Sequence, residues 1–165
     1  MKTFLYFSFS LFLAFSVLAQ KVDPTYKQVS YGPHEDMTLN FWKIESQNPA
    51  PLLVHIHGGG WLGGKKHEKA NANELKHGYS FASIDYRLAG VELLPAAVHD
   101  AARAIQFLRT KASDWNFDPN RIAVTGGSAG AASSLWLAYH DDLADPQSKD
   151  SVLRQSSRVC GAVAM

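Results

Sequence analysis

The chain has 165 residues, 46% of them hydrophobic and 19% charged, and its 16 Lys and Arg nearly balance its 15 Asp and Glu. That composition excludes a disordered or coiled-coil chain, and the balance gives no electrostatic basis for binding nucleic acid, an anionic membrane or a polyanionic substrate. The length suits one domain with a buried core.

Residues 1–19 read as a secretory signal. Lys2 supplies the positive start, Phe4 to Phe15 is apolar apart from Ser8 and Ser10, and Val17-Leu18-Ala19 prepares a cut before Gln20. The apolar run is short of the ~20 residues a spanning helix needs. The expectation is therefore a secreted or periplasmic protein with no stable membrane association after cleavage. Cys160 is the only cysteine. No disulfide forms within the chain, and Cys160 is expected to be buried in a strand.

After the leader, Lys21 to Glu35 reads as an extended approach. Met37 to Trp42 reads as an outer strand with Met37, Leu39 and Phe41 on one face, and Ser46 to Pro51 as a turn. The apolar run Leu52-Leu53-Val54-His55-Ile56 reads as a strand buried on both faces of a parallel sheet. Lys66 to about Lys76 is expected to be helical and to end at Gly78, and Tyr79 to Tyr86 to be the next strand. Pro95 opens a helix in which Val98, Ala101, Ala102, Ile105, Leu108 and Ala112 recur at three- and four-residue steps. Trp115 to Asn120 reads as a turn, Arg121 to Thr125 as a strand, and Ala129 to about His140 as a helix. Asp141 to Asp150 reads as an acidic loop, and Arg158 to Met165 as another core strand. Alternating strands and helices predict a doubly wound, mostly parallel α/β sheet with ligands at the carboxyl ends of its strands.

Two motifs sit at such ends. Gly126-Gly127-Ser128-Ala129-Gly130 has the G-x-S-x-G form of a nucleophile elbow, in the required order of strand, tight turn and helix. A serine hydroxyl there projects above the sheet, Gly126 and Gly130 give clearance, and the helix start aims the N–H of Ala129 and a positive dipole end at the reacting centre. His57-Gly58-Gly59-Gly60-Trp61 closes the other strand. Its glycines bring bare backbone N–H groups to a developing oxyanion, where each donor contributes about 3–4 kcal/mol. His57 is expected to brace this loop. His55 and His57 alternate as a metal pair would, but no H-x-H-x-D-H pattern follows, so neither metal nor cofactor is expected. His140 and Asp141, Asp142 and Asp145 follow Ser128, but twelve helical residues place His140 about 18 Å away, out of reach as a base.

On these motifs, together with Asp85-Tyr86-Arg87-Leu88, Pro95, Asp100 and Asp118-Pro119-Asn120-Arg121-Ile122, the chain from about Val29 onward resembles the α/β-hydrolase superfamily, in particular esterases and lipases related to hormone-sensitive lipase. The resemblance implies Ser128 as nucleophile and the N–H groups of Gly59, Gly60 and Ala129 as oxyanion donors. It makes His57, Gly58, Gly126 and Gly130 motif residues, and Asp85 to Leu88 and Asp100 scaffold, with Asp100 the partner of Arg87. Gly127 stands where lipases carry Asp, which leans toward secreted acetyl-esterase-like relatives acting on small-molecule or carbohydrate esters. Family members carry the catalytic Asp and His on later strands. The expectation is thus a partial domain over residues 20–165, C-terminally truncated and inactive by itself. The alternatives are a serine peptidase of the same superfamily and a non-catalytic hydrolase-like module.

Overall fold

The structure is a computed structural model and describes residues 20–165; the signal-like segment 1–19 lies outside the described residues. The strands are β1 (Lys21–Val22), β2 (Tyr26–Ser30), β3 (Thr38–Trp42), β4 (Ala50–Ile56) and β5 (Ala70–Asn71), followed by helix α1 (Ala72–Leu75). Then come β6 (Ser80–Ile84), α2 (Ala96–Trp115), β7 (Phe117–Gly126), α3 (Ala129–Tyr139) and β8 (Gly161–Ala164). Six strands form one sheet in the order β2-β3-β6-β4-β7-β8, parallel from β6 to β8 and antiparallel at β2 and β3, while β1 and β5 pair in a separate ribbon.

This order positions the site. From β4 the chain steps to β6 on one side, then returns past β4 to β7 on the other. The carboxyl ends of β4 and β7 therefore flank the point where strand order reverses, the crevice in which open α/β sheets bind ligands. Ile56 pairs with Gly126 there, so the two motifs leave the sheet side by side.

The long helix α2 forms because six alanines and a compatible proline start favour it. It stops at Asn116, which takes the left-handed conformation at φ 57° and ψ 50°. Its Ala101, Ala102, Ile105 and Leu108 are buried against Leu52, Val54, Ile56, Ile122 and Val124 of the sheet, and Leu137 of α3 joins the same core. Both long helices thus cover one face. The opposite face carries a smaller cluster of Trp42, Ala70 and Phe81, with Val22, Leu53 and Leu75 against it.

Several sequence expectations are corrected. The segment 21–35 contains two strands, and β2 rather than the Met37–Trp42 run is the outer strand; β3 lies between β2 and β6. Strand β4 is not buried on both faces: Ala50, Leu52, Val54 and Ile56 are buried, but Pro51, Leu53 and His55 are only half-buried, because no long helix covers their side. Helix between Lys66 and Lys76 is confined to α1, since Lys66 and His67 are held by side chains of neighbouring strands instead. The turn expected at Trp115–Asn120 falls inside β7: Phe117 already pairs with Ala50, and a bulge follows before Ile122 meets Leu52. Within that bulge the Asp118 carboxylate accepts the Asn120 N–H. Strand β8 is a partly exposed sheet edge, not a core strand, and Cys160 before it is exposed, not buried.

Candidate active site

Ser128 caps α3 at φ 54° and ψ −120°, a conformation costly for a residue with a side chain. Neighbours hold it there. Gly130 N–H donates to Gly127 O (2.9 Å) and Ala132 N–H to Ser128 O (3.0 Å), starting the helix immediately. Gly126 and Gly130 are required by space, because a Cβ at either would overlap the carbonyl oxygen of Ile56. The elbow is thereby pressed onto the end of β4.

The glycine loop lies against it. A Cβ on Gly58 would come 2.7 Å from Gly127 O and 3.5 Å from Ser128 Cβ. Gly59 (φ 104°) and Gly60 (φ 63°) adopt positive φ, which lets the backbone turn back on itself while Leu62 and Gly63 N–H groups donate to Gly59 O. Trp61 also has positive φ, at 59°, and is tied down at both ends. Its indole N–H donates to Ser133 Oγ (3.1 Å) and its carbonyl accepts from Ala89 N–H (2.7 Å). Ser133 Oγ in turn donates to Ala129 O, which links the loop to the first turn of α3. Among the described residues, no backbone acceptor takes the N–H of Gly59, Gly60 or Ala129.

His57 is buried beneath the loop. Its ring stacks on Tyr86 at 4.2 Å, Nδ1 lies 2.8 Å from Gly58 O, and Nε2 lies 3.8 Å from Asp85 Oδ1. The Tyr86 hydroxyl donates to His57 O (2.8 Å), and burial with the nearby Asp85 charge pushes its pKa up to about 12, so it remains a donor through neutral pH. The ring is thus held by its Nδ1 contact to the loop and its stacking on Tyr86, with the Asp85 carboxylate nearby. His55, two residues earlier, has its ring 4.2 Å from that of His67 and Nδ1 against Ser83 Oγ (3.2 Å). Burial, then the neighbouring His67 and His57, lower its pKa to about 4. Among the described residues, no three His, Cys, Asp or Glu side chains converge as a metal set.

His140 sits at the opposite end of α3 from Ser128, stacked on Trp136. Asp142 is not simply solvated: it accepts from the N–H groups of Ala144 and Ser157 and so closes the loop after α3. Asp141 and Asp145 are exposed in the same loop. Arg87 and the buried Asp100 form a two-pronged pair through Nε (2.8 Å) and Nη2 (2.5 Å). Sequence reasoning missed Lys66. It lies in the charged run Lys65-Lys66-His67-Glu68, where a helix is expected to begin, yet its ammonium group is buried against Asp85 (2.5 Å) and Thr38 (3.0 Å). Its only sequence signal is its place just after Gly63-Gly64. Beside the elbow, Trp61, Leu94, Pro95, Val98, Ala132 and Trp136 line an apolar cavity of about 290 Å³.

A family model described as BD-FAE matches residues 41–163. Carboxylesterase NlhH of Mycobacterium tuberculosis (strain ATCC 25618 / H37Rv) is 37% identical over 116 residues, covering 68% of this chain and 36% of its own length. Two solved structures share the fold at 24% identity. A truncated form of a carbohydrate esterase from gut microbiota superposes with a TM-score of 0.71, over 83% of this chain and 54% of its own. An acetyl ester-xyloside bifunctional hydrolase from Caldicellulosiruptor lactoaceticus does so with a TM-score of 0.64, over 88% and 56%. The chain thus spans about a third of that curated relative and about half of those structures.

Proposed function

The chain belongs to the BD-FAE family and has an α/β-hydrolase fold, and from that footing we propose that it carries the nucleophile and oxyanion machinery of a secreted serine carboxylic-ester hydrolase. The observation that carries this reading is the strained Ser128 elbow packed against the Gly58–Gly60 loop at the point where strand order reverses. Ser128 Oγ attacks the ester carbonyl while a base takes its proton. The tetrahedral oxyanion lies against the N–H groups of Gly59, Gly60 and Ala129. Departure of the alcohol leaves an acyl-enzyme that water hydrolyses. Among the described residues, no hydrogen bond joins Ser128 to a histidine, and His57, His55 and His140 are engaged elsewhere. No base for Ser128 is therefore assigned among the described residues. The apolar cavity beside Ala132 receives the carbon skeleton of the ester, and relatives named as carbohydrate and acetyl-ester hydrolases favour acetylated sugars as substrates.

The test is hydrolysis of an aryl acetate by the purified chain, alone and with added imidazole as a substitute base, beside Ser128→Ala. The expected result is no turnover above background alone and a rise with imidazole that Ser128→Ala abolishes. An imidazole response identical in both proteins would rule the reading out. Export is tested separately: the mature protein should begin at Gln20.

A further inference from the structure

We infer that Lys66 is a positioning residue for the oxyanion loop, acting through Asp85 and His57 on the N–H groups of Gly59 and Gly60; this rests on the ester-hydrolase reading of the same site. A lysine side chain only 3% exposed is unusual unless paired. Here Nζ donates to Asp85 Oδ2 (2.5 Å) and Thr38 Oγ1 (3.0 Å), and the Lys66 backbone N–H donates to Asp85 Oδ1 (2.5 Å). One carboxylate is thus clamped by the backbone and the side chain of the same residue. Its Oδ1 then stands 3.8 Å from His57 Nε2.

From His57 the constraint passes directly to the loop. Nδ1 holds the Gly58 carbonyl, and the ring is pinned from below by Tyr86. Gly64 crosses close above the ring, since a Cβ there would overlap His57 Nδ1. The returning limb is fixed again just beyond Lys66: His67 N–H donates to Ser83 Oγ (3.0 Å) and Asn40 Nδ2 donates to His67 O (2.8 Å). The loop is therefore stretched between the end of β4 and a post anchored to β3 and β6, with the Lys66–Asp85 pair at that post.

A buried ion pair adds little net stability compared with a well-packed apolar pair. What it does impose here is direction. Oxyanion donors work at 2.7–3.1 Å from the developing charge, and a displacement of about 1 Å at a reacting centre costs on the order of a hundredfold in rate.

The experiment is hydrogen exchange followed by mass spectrometry on the full chain, comparing Lys66→Met, the double variant Lys66→Met/Asp85→Asn, and Lys66→Arg. The double variant removes both charges, so no ion is left buried alone if the single variant fails to fold. The expected result is exchange on the order of tenfold faster for residues 57–64 in the Met variants, with β7 and α3 unchanged and Lys66→Arg restoring protection. Unchanged exchange at residues 57–64 would overturn the inference. So would a uniform rise across the molecule, or unfolding of both Met variants, since either makes Lys66 a residue of general stability. Exchange is read without turnover, so failure of the esterase reading in the Ser128→Ala comparison remains a separate outcome.

Discussion

At the scale of single residues, the site separates glycines needed for space from glycines needed for backbone shape. Gly130 has normal φ but no room, because a Cβ there would overlap Ile56 O. Gly60 has room, with nothing within 4 Å of a Cβ, but sits at φ 63°. Gly130→Ala should therefore cost about 1–3 kcal/mol by forcing the elbow off β4. Gly60→Ala should cost about 1–2 kcal/mol through left-handed strain alone. Thermal melts of the two variants check the order, and a Gly60→Ala protein less stable than Gly130→Ala would contradict this division of roles. Ser128 and the glycine triplet were legible in sequence because motif and order coincide. Lys66 was not: a buried lysine differs from an exposed one only through the strands that fold around it.

The elements show where period and composition lead and where tertiary pairing overrides them. Helix α2 follows its alanine-rich periodicity through to the left-handed Asn116. The Lys66–Lys76 stretch has good helix formers, but the Lys66 and His67 N–H groups are taken by Asp85 and Ser83 before a helix can use them. Strand β4 looked two-sided because the apolar Pro51 and Leu53 mask the alternation in the sequence, yet only alternate residues are buried in the core with α2. His55 on the other face has a testable consequence. Its pKa falls to about 4, from an ordinary value of 6.5, through burial first and then His67 and His57. The unfolded chain therefore binds the proton more readily, so this stability is present above pH 6.5 and is lost as pH falls toward 4. Allowing for solvent screening of a partly exposed ring, the loss is about 1–2 kcal/mol. Melting temperature should decline across pH 6.5 to 4 in the parent and stay flatter in His55→Leu. Equal slopes would show that the imidazole pair is not the cause. Asp150, held below the usual carboxylate range by its hydrogen bond to Arg103, adds stability at neutral pH that is lost only as pH falls below the usual carboxylate value, outside this window.

At the scale of the whole molecule, the described residues bury one face of the sheet and leave the other thinly covered. The edge strand β8 has Val163 55% exposed, and Met165 just beyond it is 74% exposed. Leu135 and Tyr139 also stand exposed on α3. An open edge with apolar side chains is a template for association. The chain should self-associate at micromolar concentration, and Val163→Lys should shift it toward monomer. Sedimentation measures this, and a parent chain already monomeric across that range would contradict it.

Ser128 is proposed as the nucleophile, served by the Gly59, Gly60 and Ala129 donors. The most direct measurement is to react the chain with an aryl acetate in the presence of imidazole, stop the reaction in acid and locate the acetyl group by peptide mass spectrometry. Acetyl is expected on Ser128 well above any lysine background, and is expected to be lost in Ser128→Ala. Acetyl spread over surface lysines with Ser128 unmodified would contradict that proposal.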